Sequence, residues 1–233
     1  MPKRNAATVS VNMAVSVDGR ITTRTREHFA LGSENDRRLM DELRAAADAV
    51  IVGAGTVRHD GWPMLIRYAD LREKRVAAGR SPHPVNVVLS RALDLPIRAR
   101  FFQTDQTERI VFTTRQAPVA RVKRFGSVAD VVVLPGRRLS PAAIVSQLHA
   151  RGLRGLLLEG GGEVHFAFAE ANLVDRLYVT ITPRLIGGMG APSLLDGKGF
   201  LQDSHQHLKL ESLRREGDEI FLCYRVLHRR RDR

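Results

Sequence analysis

Residues 153–168 read LRGLLLEGGGEVHFAF. Four leucines in the first six positions make a short strand buried on both faces, the pattern of a parallel sheet. Glu159 and three glycines then break the strand. Val164, Phe168 and Ala171 follow on one side of a helix. A buried strand that passes through a glycine turn into a helix is the repeating unit of an α/β fold. Residues 48–56, DAVIVGAGT, have the same form: an apolar run, then Gly53, Gly55 and Thr56.

Working outward, the flanking segments agree. Val9, Val11, Met13 and Val15 alternate with small or polar residues, a period-2 strand, and Asp18-Gly19 reads as a turn. Ser33 suits a helix N-cap, with Glu34 and Asp36 in the first turn and Leu39, Met40, Leu43 and Ala47 on the apolar face. Residues 85–89, 109–113, 128–134 and 174–181 read as further strands. Ser140-Pro141 opens a helix with proline at its first position. Residues 67–84 read as a surface helix between strands, carrying Leu71, Arg72, Lys74 and Val76. The strands 208–213 and 219–227, joined by Glu216-Gly217-Asp218, form a closing hairpin. The fold expected is therefore α/β, one domain with a mixed, mostly parallel sheet and a C-terminal antiparallel hairpin.

Composition excludes several classes. With 233 residues, 43% of them hydrophobic, the chain can fill a core. A lone cysteine, Cys223, excludes an internal disulfide. No apolar run approaches the roughly 20 residues that span a bilayer. The N-terminal stretch, broken by Thr8, Ser10 and Asn12, is a poor signal-peptide core, so a cytoplasmic location is expected. No Gly-x-Ser-x-Gly elbow, Walker A motif or His-Glu-x-x-His is present.

The net charge of +12 raises a nucleic-acid reading. Its distribution opposes that. Residues 64–126 hold 13 basic and 5 acidic side chains, the last nine residues hold 5 and 1, and the long stretches between are balanced. With 13 aromatic residues and no nucleic-acid motif, a nucleic-acid-binding protein is the rival class, and it predicts steeply salt-dependent binding.

Several residues bear on chemistry. Gly160, Gly161 and Gly162 would let a backbone approach a phosphate at a helix N-terminus, as a dinucleotide pyrophosphate requires. They equally suit a plain tight turn with positive φ, and the G-x-G-x-x-G fingerprint is absent. Residues 53–56 read as a second glycine turn, with Thr56 offered to a phosphate or simply ending the strand. Asp60 lies near Arg58, His59 and Trp62, with Arg67 closing the segment. That set offers a carboxylate to amino groups and an arginine to phosphate, or is a solvated loop. Arg44, among Leu43, Ala45 and Ala46, is either half-buried toward an anion or snorkels at the helix edge. Gly187, Gly188 and Gly190, between Pro183 and Pro192, form a loop of the kind that closes over ligands. His205 and His207 share a face if extended, but no third ligand stands at metal spacing, so no metal is expected. Cys223 is expected in the core.

These residues together resemble a known family. Residues 12–21, NMAVSVDGRI, are similar to the N-terminal signature of the riboflavin-biosynthesis reductases. Leu31-Gly32-Ser33, Leu43-Arg44-Ala45, Asp48-Ala49, Gly53, Thr56-Val57, Asp60, Glu159-Gly160-Gly161, residues 173–177 and residues 183–188 follow in the family's order. The resemblance spans essentially the whole chain. It implies a dihydrofolate-reductase-like three-layer fold, usually a homodimer, with residues 1–233 as a single reductase domain ending in a basic tail at 228–233. It implies NADPH as cofactor and a phosphorylated pyrimidine substrate, either an amino-uracil or a diamino-pyrimidinone, whose ribosyl group is reduced to ribityl. A reductase of another substrate, such as a pterin, is the alternative within the fold.

The resemblance also implies roles. Asn12 and Asp60 would contact substrate, and Glu159 would stand near the reacting sugar. Gly32 and Ser33 would border the substrate, although many relatives carry threonine where Gly32 stands. Arg44 and Arg67 would hold its phosphate. Ala14, Asp18 and Gly19 would border the nicotinamide. Gly53, Thr56 and Gly160, Gly161 and Gly162 would meet cofactor phosphates, with Ser90 and Arg91 placed for an adenosine 2′-phosphate. One departure is Gly61-Trp62-Pro63, where the family's proline is displaced by one and a tryptophan stands beside the substrate.

Overall fold

The computed structural model describes residues 7–26 and 29–228. The Arg-rich end at 229–233 and the N-terminal Lys3 and Arg4 lie outside the described residues. The described chain forms two compact units, one of Met40–Leu157 and the other of Thr8–Leu39 with the chain from Leu158 on.

In the first unit, strands β2 (Ala49–Gly53), β3 (Val85–Leu89), β4 (Arg109–Thr114) and β5 (Asp130–Leu134) pair in parallel, in the order β5-β4-β3-β2, with β6 (Gly155–Leu158) beside β2. Ile51 pairs with Val87, and Val87 with Ile110. Every residue of β2 is buried, as its unbroken apolar run requires. Val50, Val52, Val88, Phe101, Phe102 and Phe125 share one core, where burying each aliphatic side chain contributes about 1.5–3 kcal/mol. Asp48 ties β6 to the start of β2: its Oδ2 accepts from the Arg154 and Gly155 amides at 2.8 and 2.7 Å.

The helices of this unit correct the sequence reading in two places. The chain does not turn after Gly53. It enters helix α2 (Ala54–His59) directly, with Gly53 extended as the N-cap. Helix α3 (Ala69–Ala77) is not a purely surface helix, because Leu71 and Arg75 are buried. Two short helices, α4 (Arg100–Gln103) and α5 (Val119–Phe125), were not foreseen, whereas α6 (Pro141–Ala150) begins as expected with Ser140 accepting from the Ala143 amide.

In the second unit, β1 (Thr8–Ser16) runs parallel to β7 (Arg176–Thr182), and β7 runs antiparallel to β9 (Glu219–Leu227). β8 (His207–Glu216) closes the hairpin with β9 through Gly217 at φ +59. Helix α7 (Gly162–Glu170) follows the glycine run, and α1 (Glu34–Ala46) leads out of this unit into the first. Among the described residues, nine strands and seven helices, with antiparallel pairing where β9 meets β7 and β8, make the mixed α/β architecture expected.

Candidate active site

Within the first unit, Arg44 and Arg67 meet at one carboxylate, Asp41, which no sequence motif singled out. Asp41 is 0% exposed. Its Oδ1 lies 3.4 Å from Arg44 Nη1 and 3.2 Å from Arg67 Nη2, and its Oδ2 accepts from the Arg67 amide at 2.6 Å. The spacing of Asp41 and Arg44, three apart on α1, was the available signal, since such residues face each other on a helix. Arg44 is buried, and its guanidinium also donates to the Leu65 carbonyl at 2.7 Å. It is not a snorkelling edge residue.

Thr56 lies in the first turn of α2, and Asp60 is its C-cap, its amide donating to the Thr56 carbonyl at 2.8 Å. Gly61, at φ +67, then reverses the chain. Trp62 is half exposed, with the Arg100 guanidinium 4.1 Å over its ring. Ser90 is buried at the end of β3, and the Arg91 carbonyl accepts from the hydroxyls of Thr113 and Thr114, both at 3.1 Å. The side chain of Arg91 is left exposed on a pinned loop.

In the second unit, Asn12 and Ala14 share a face of β1 and pair with Tyr178 and Thr180 of β7. Asn12 Oδ1 and Thr180 Oγ1 are buried without a hydrogen-bond partner. Thr180, absent from the sequence reading, therefore lies on the same face as Asn12. Asp18 accepts from the Ser16 hydroxyl at 2.7 Å and from the Ile186 and Gly187 amides at 3.0 and 2.7 Å. These bonds, the Ser16 hydroxyl first, hold its pKa down to about 2. Asp18 thus ties the turn after β1 to the glycine loop, and Gly19 completes that turn at φ +79.

Ser33 accepts from the Asn35 amide as the expected cap. Its own amide and hydroxyl donate to the buried Glu219 at 2.8 and 2.5 Å. Glu219 lies 186 residues away, and no local pattern marks it. A Cβ at Gly32 would collide with the Asp36 side chain.

Glu159 follows β6, and Gly160 comes next at φ +131, which only glycine adopts freely. Nothing lies within 4 Å of the place a Cβ of Gly161 would take. No side chain caps the start of α7. An approachable backbone leading into an uncapped helix N-terminus fits a cofactor phosphate. Asn12 Oδ1, buried without a partner, is an acceptor that fits a ligand donor. The rings of His205 and His207 lie 4.8 Å apart, tilted by 57°, and among the described residues no three His, Cys, Asp or Glu are grouped to hold a metal. Cys223 is half-buried rather than in the core. Burial pushes its thiol pKa up, and Glu211 lies 3.9 Å away.

The RibD C-terminal domain family model matches residues 7–222. This chain belongs to that family. Among curated RibD-related proteins, it is 36% identical over 210 residues to the 2,5-diamino-6-ribosylamino-4(3H)-pyrimidinone 5′-phosphate reductase of Archaeoglobus fulgidus, covering 90% of this chain and 94% of the relative. It is 31% identical to the reductase of the same name from Methanothermobacter thermautotrophicus, covering 94% and 97%. Among solved structures, a pyrimidine reductase-like protein from Corynebacterium diphtheriae superposes with a TM-score of 0.83 at 26% identity, over 97% of this chain and 94% of that one. Acinetobacter baumannii RibD, at 19% identity and a TM-score of 0.77, shares the fold. A RibD C-terminal domain is a reductase module of riboflavin biosynthesis that works with a nicotinamide cofactor. Among the described residues no helix is long and apolar enough to cross a membrane.

Proposed function

We propose that this chain is an NADPH-dependent reductase that converts the ribosyl group of a 5-phosphoribosylamino-pyrimidine to a ribityl chain. The observation that carries this reading is the similarity, over nearly the full length of both chains, to reductases named for the diamino-pyrimidinone 5′-phosphate. The same observation favours the diamino-pyrimidinone over the amino-uracil. The RibD of Bacillus amyloliquefaciens is 30% identical, but this chain spans only 56% of it.

The chain's residues divide the work. Arg44 and Arg67 bind the substrate phosphate, while Asp60, Asn12, Gly32 and Ser33 orient the pyrimidine and sugar. Gly53, Thr56 and Gly160 to Gly162 bind cofactor phosphates. Ser90 and the exposed Arg91 select the 2′-phosphate, which favours NADPH over NADH. Ala14 and the turn at Asp18 and Gly19 border the nicotinamide. When bound, the cofactor supplies a hydride. The substrate's opened sugar would take a hydride at C1 and a proton at its imine nitrogen. Asp60 and Glu159 are the two carboxyl groups assigned to hold and deliver that proton. Positioning and charge placement are the protein's share of catalysis. Residues 1–233 act as a single reductase domain, in the cytoplasm and as a homodimer.

Following loss of NADPH absorbance with each of the two pyrimidines tests this directly. Faster turnover of the diamino-pyrimidinone is expected, and turnover of neither would overturn the reading.

A further inference from the structure

The geometry points to Asp41 as a positioning residue for the substrate phosphate, acting through Arg67, with Arg44 as the buried second support. This rests on the proposed assignment of the phosphate to Arg44 and Arg67. A carboxylate with no exposed surface is costly unless it is paired and hydrogen-bonded. Asp41 is satisfied mainly by one partner. Arg67 donates to it from its amide at 2.6 Å, from Nε at 3.3 Å and from Nη2 at 3.2 Å. Backbone and side chain of one residue thus both bind this carboxylate.

The two arginines are not equivalent. The Arg67 side chain is 46% exposed and that of Arg44 only 9%. Arg44 spreads its guanidinium over Asp41, the Leu65 carbonyl and the Met64 sulfur at 3.6 Å. It also holds the segment 64–67 in place, and Arg67 is the more exposed of the two. As a negative charge, Asp41 weakens the local field for an anion. What it supplies is orientation. An unrestrained arginine loses side-chain freedom when it grips a phosphate, and a guanidinium already clamped along its Nε–Nη2 edge has lost that freedom beforehand. Asp41 is therefore assigned to fix the guanidinium of Arg67, not to touch the substrate.

The test is a double-mutant cycle with Asp41→Asn and Arg67→Ala, read as kcat and KM for the phosphorylated pyrimidine and as calorimetric affinity for inorganic phosphate. Asp41→Asn is expected to raise KM about tenfold with kcat little changed, and to add little once Arg67 is alanine. A merely structural defect would lower the active fraction and hence kcat, leaving KM in place. A lower KM for Asp41→Asn, or effects of the two substitutions that simply add, would overturn the assignment. Should Asp41→Asn fail to fold, Arg67→Lys decides the matter. Lysine keeps the charge but cannot bind the carboxylate edge-on. KM close to that of Arg67→Ala supports the clamp, and KM close to wild type refutes it. Absence of wild-type turnover would sink the functional reading instead, and the phosphate affinities would still decide the clamp.

Discussion

His165 has no exposed surface. Its Nδ1 meets the Leu194 carbonyl at 3.0 Å, so that nitrogen carries the proton, and Nε2 is buried without a partner. Burial pushes its pKa from 6.5 down to about 4. The unfolded chain takes up a proton at this site as pH falls below 6.5, and the folded chain does not until about pH 4. Stability is therefore undiminished by this group above pH 6.5 and is lost across that window, at about 1.4 kcal/mol per pH unit. Urea melts of wild type and His165→Leu between pH 7 and 4 check this: the variant should show the shallower acid limb, and parallel curves would contradict it. At this scale the sequence was informative where spacing is local. Arg44, Asp60 and Arg67 could be picked out, and the pairing of Asp41 with Arg44 three residues on was readable in principle. Glu219 under Ser33 was not readable, because it arrives from the far end of the chain.

Helix α1 ends under two arginines brought in from beyond its own sequence. Arg75 Nη1 donates to the carbonyls of Ala45 and Ala47, both at 2.7 Å, and its Nε to Ser81 at 2.9 Å. Arg80 Nη2 donates to the Ala47 carbonyl and pairs with Asp48 at 2.7 Å. The last carbonyls of a helix lack internal partners and carry its negative pole, so cations there are favourable. Burial, and then the neighbouring Arg80, lowers the Arg75 pKa to about 10, still far above neutral pH. Arg75→Ala should cost about 3 kcal/mol of unfolding free energy in urea, since several carbonyls, that of Ala47 buried, lose a charged donor together. A loss under about 1 kcal/mol would show that water or Arg80 replaces it. All nine strands were legible, because their apolar runs and alternation are intrinsic. Helices α2, α4 and α5, of four to seven residues, were not. They are too short to show a helical period, and Gly53 and Gly55 made α2 resemble a turn.

For the molecule as a whole, the basic segment 64–126 takes on a different meaning. Many of its arginines are committed to backbone carbonyls and to the carboxylates of Asp41 and Asp48. Arg67 lies on Asp41, Arg72 on the Ile66 carbonyl, Arg75 and Arg80 on the end of α1, and Arg109 on the Val128 carbonyl. The excess charge is in large part a set of caps and clamps, with Arg91 among the side chains left exposed. This is why composition alone suggested nucleic acid while residue order pointed to a reductase. The proposed reaction moves a hydride from NADPH to C1 of the substrate's sugar. Deuterium at the transferable C4 position of NADPH, followed by mass spectrometry and NMR of the product, tests it most directly. One deuterium at C1 of a ribityl chain is the predicted result. A product without deuterium at that carbon, or an unreduced sugar, would contradict it.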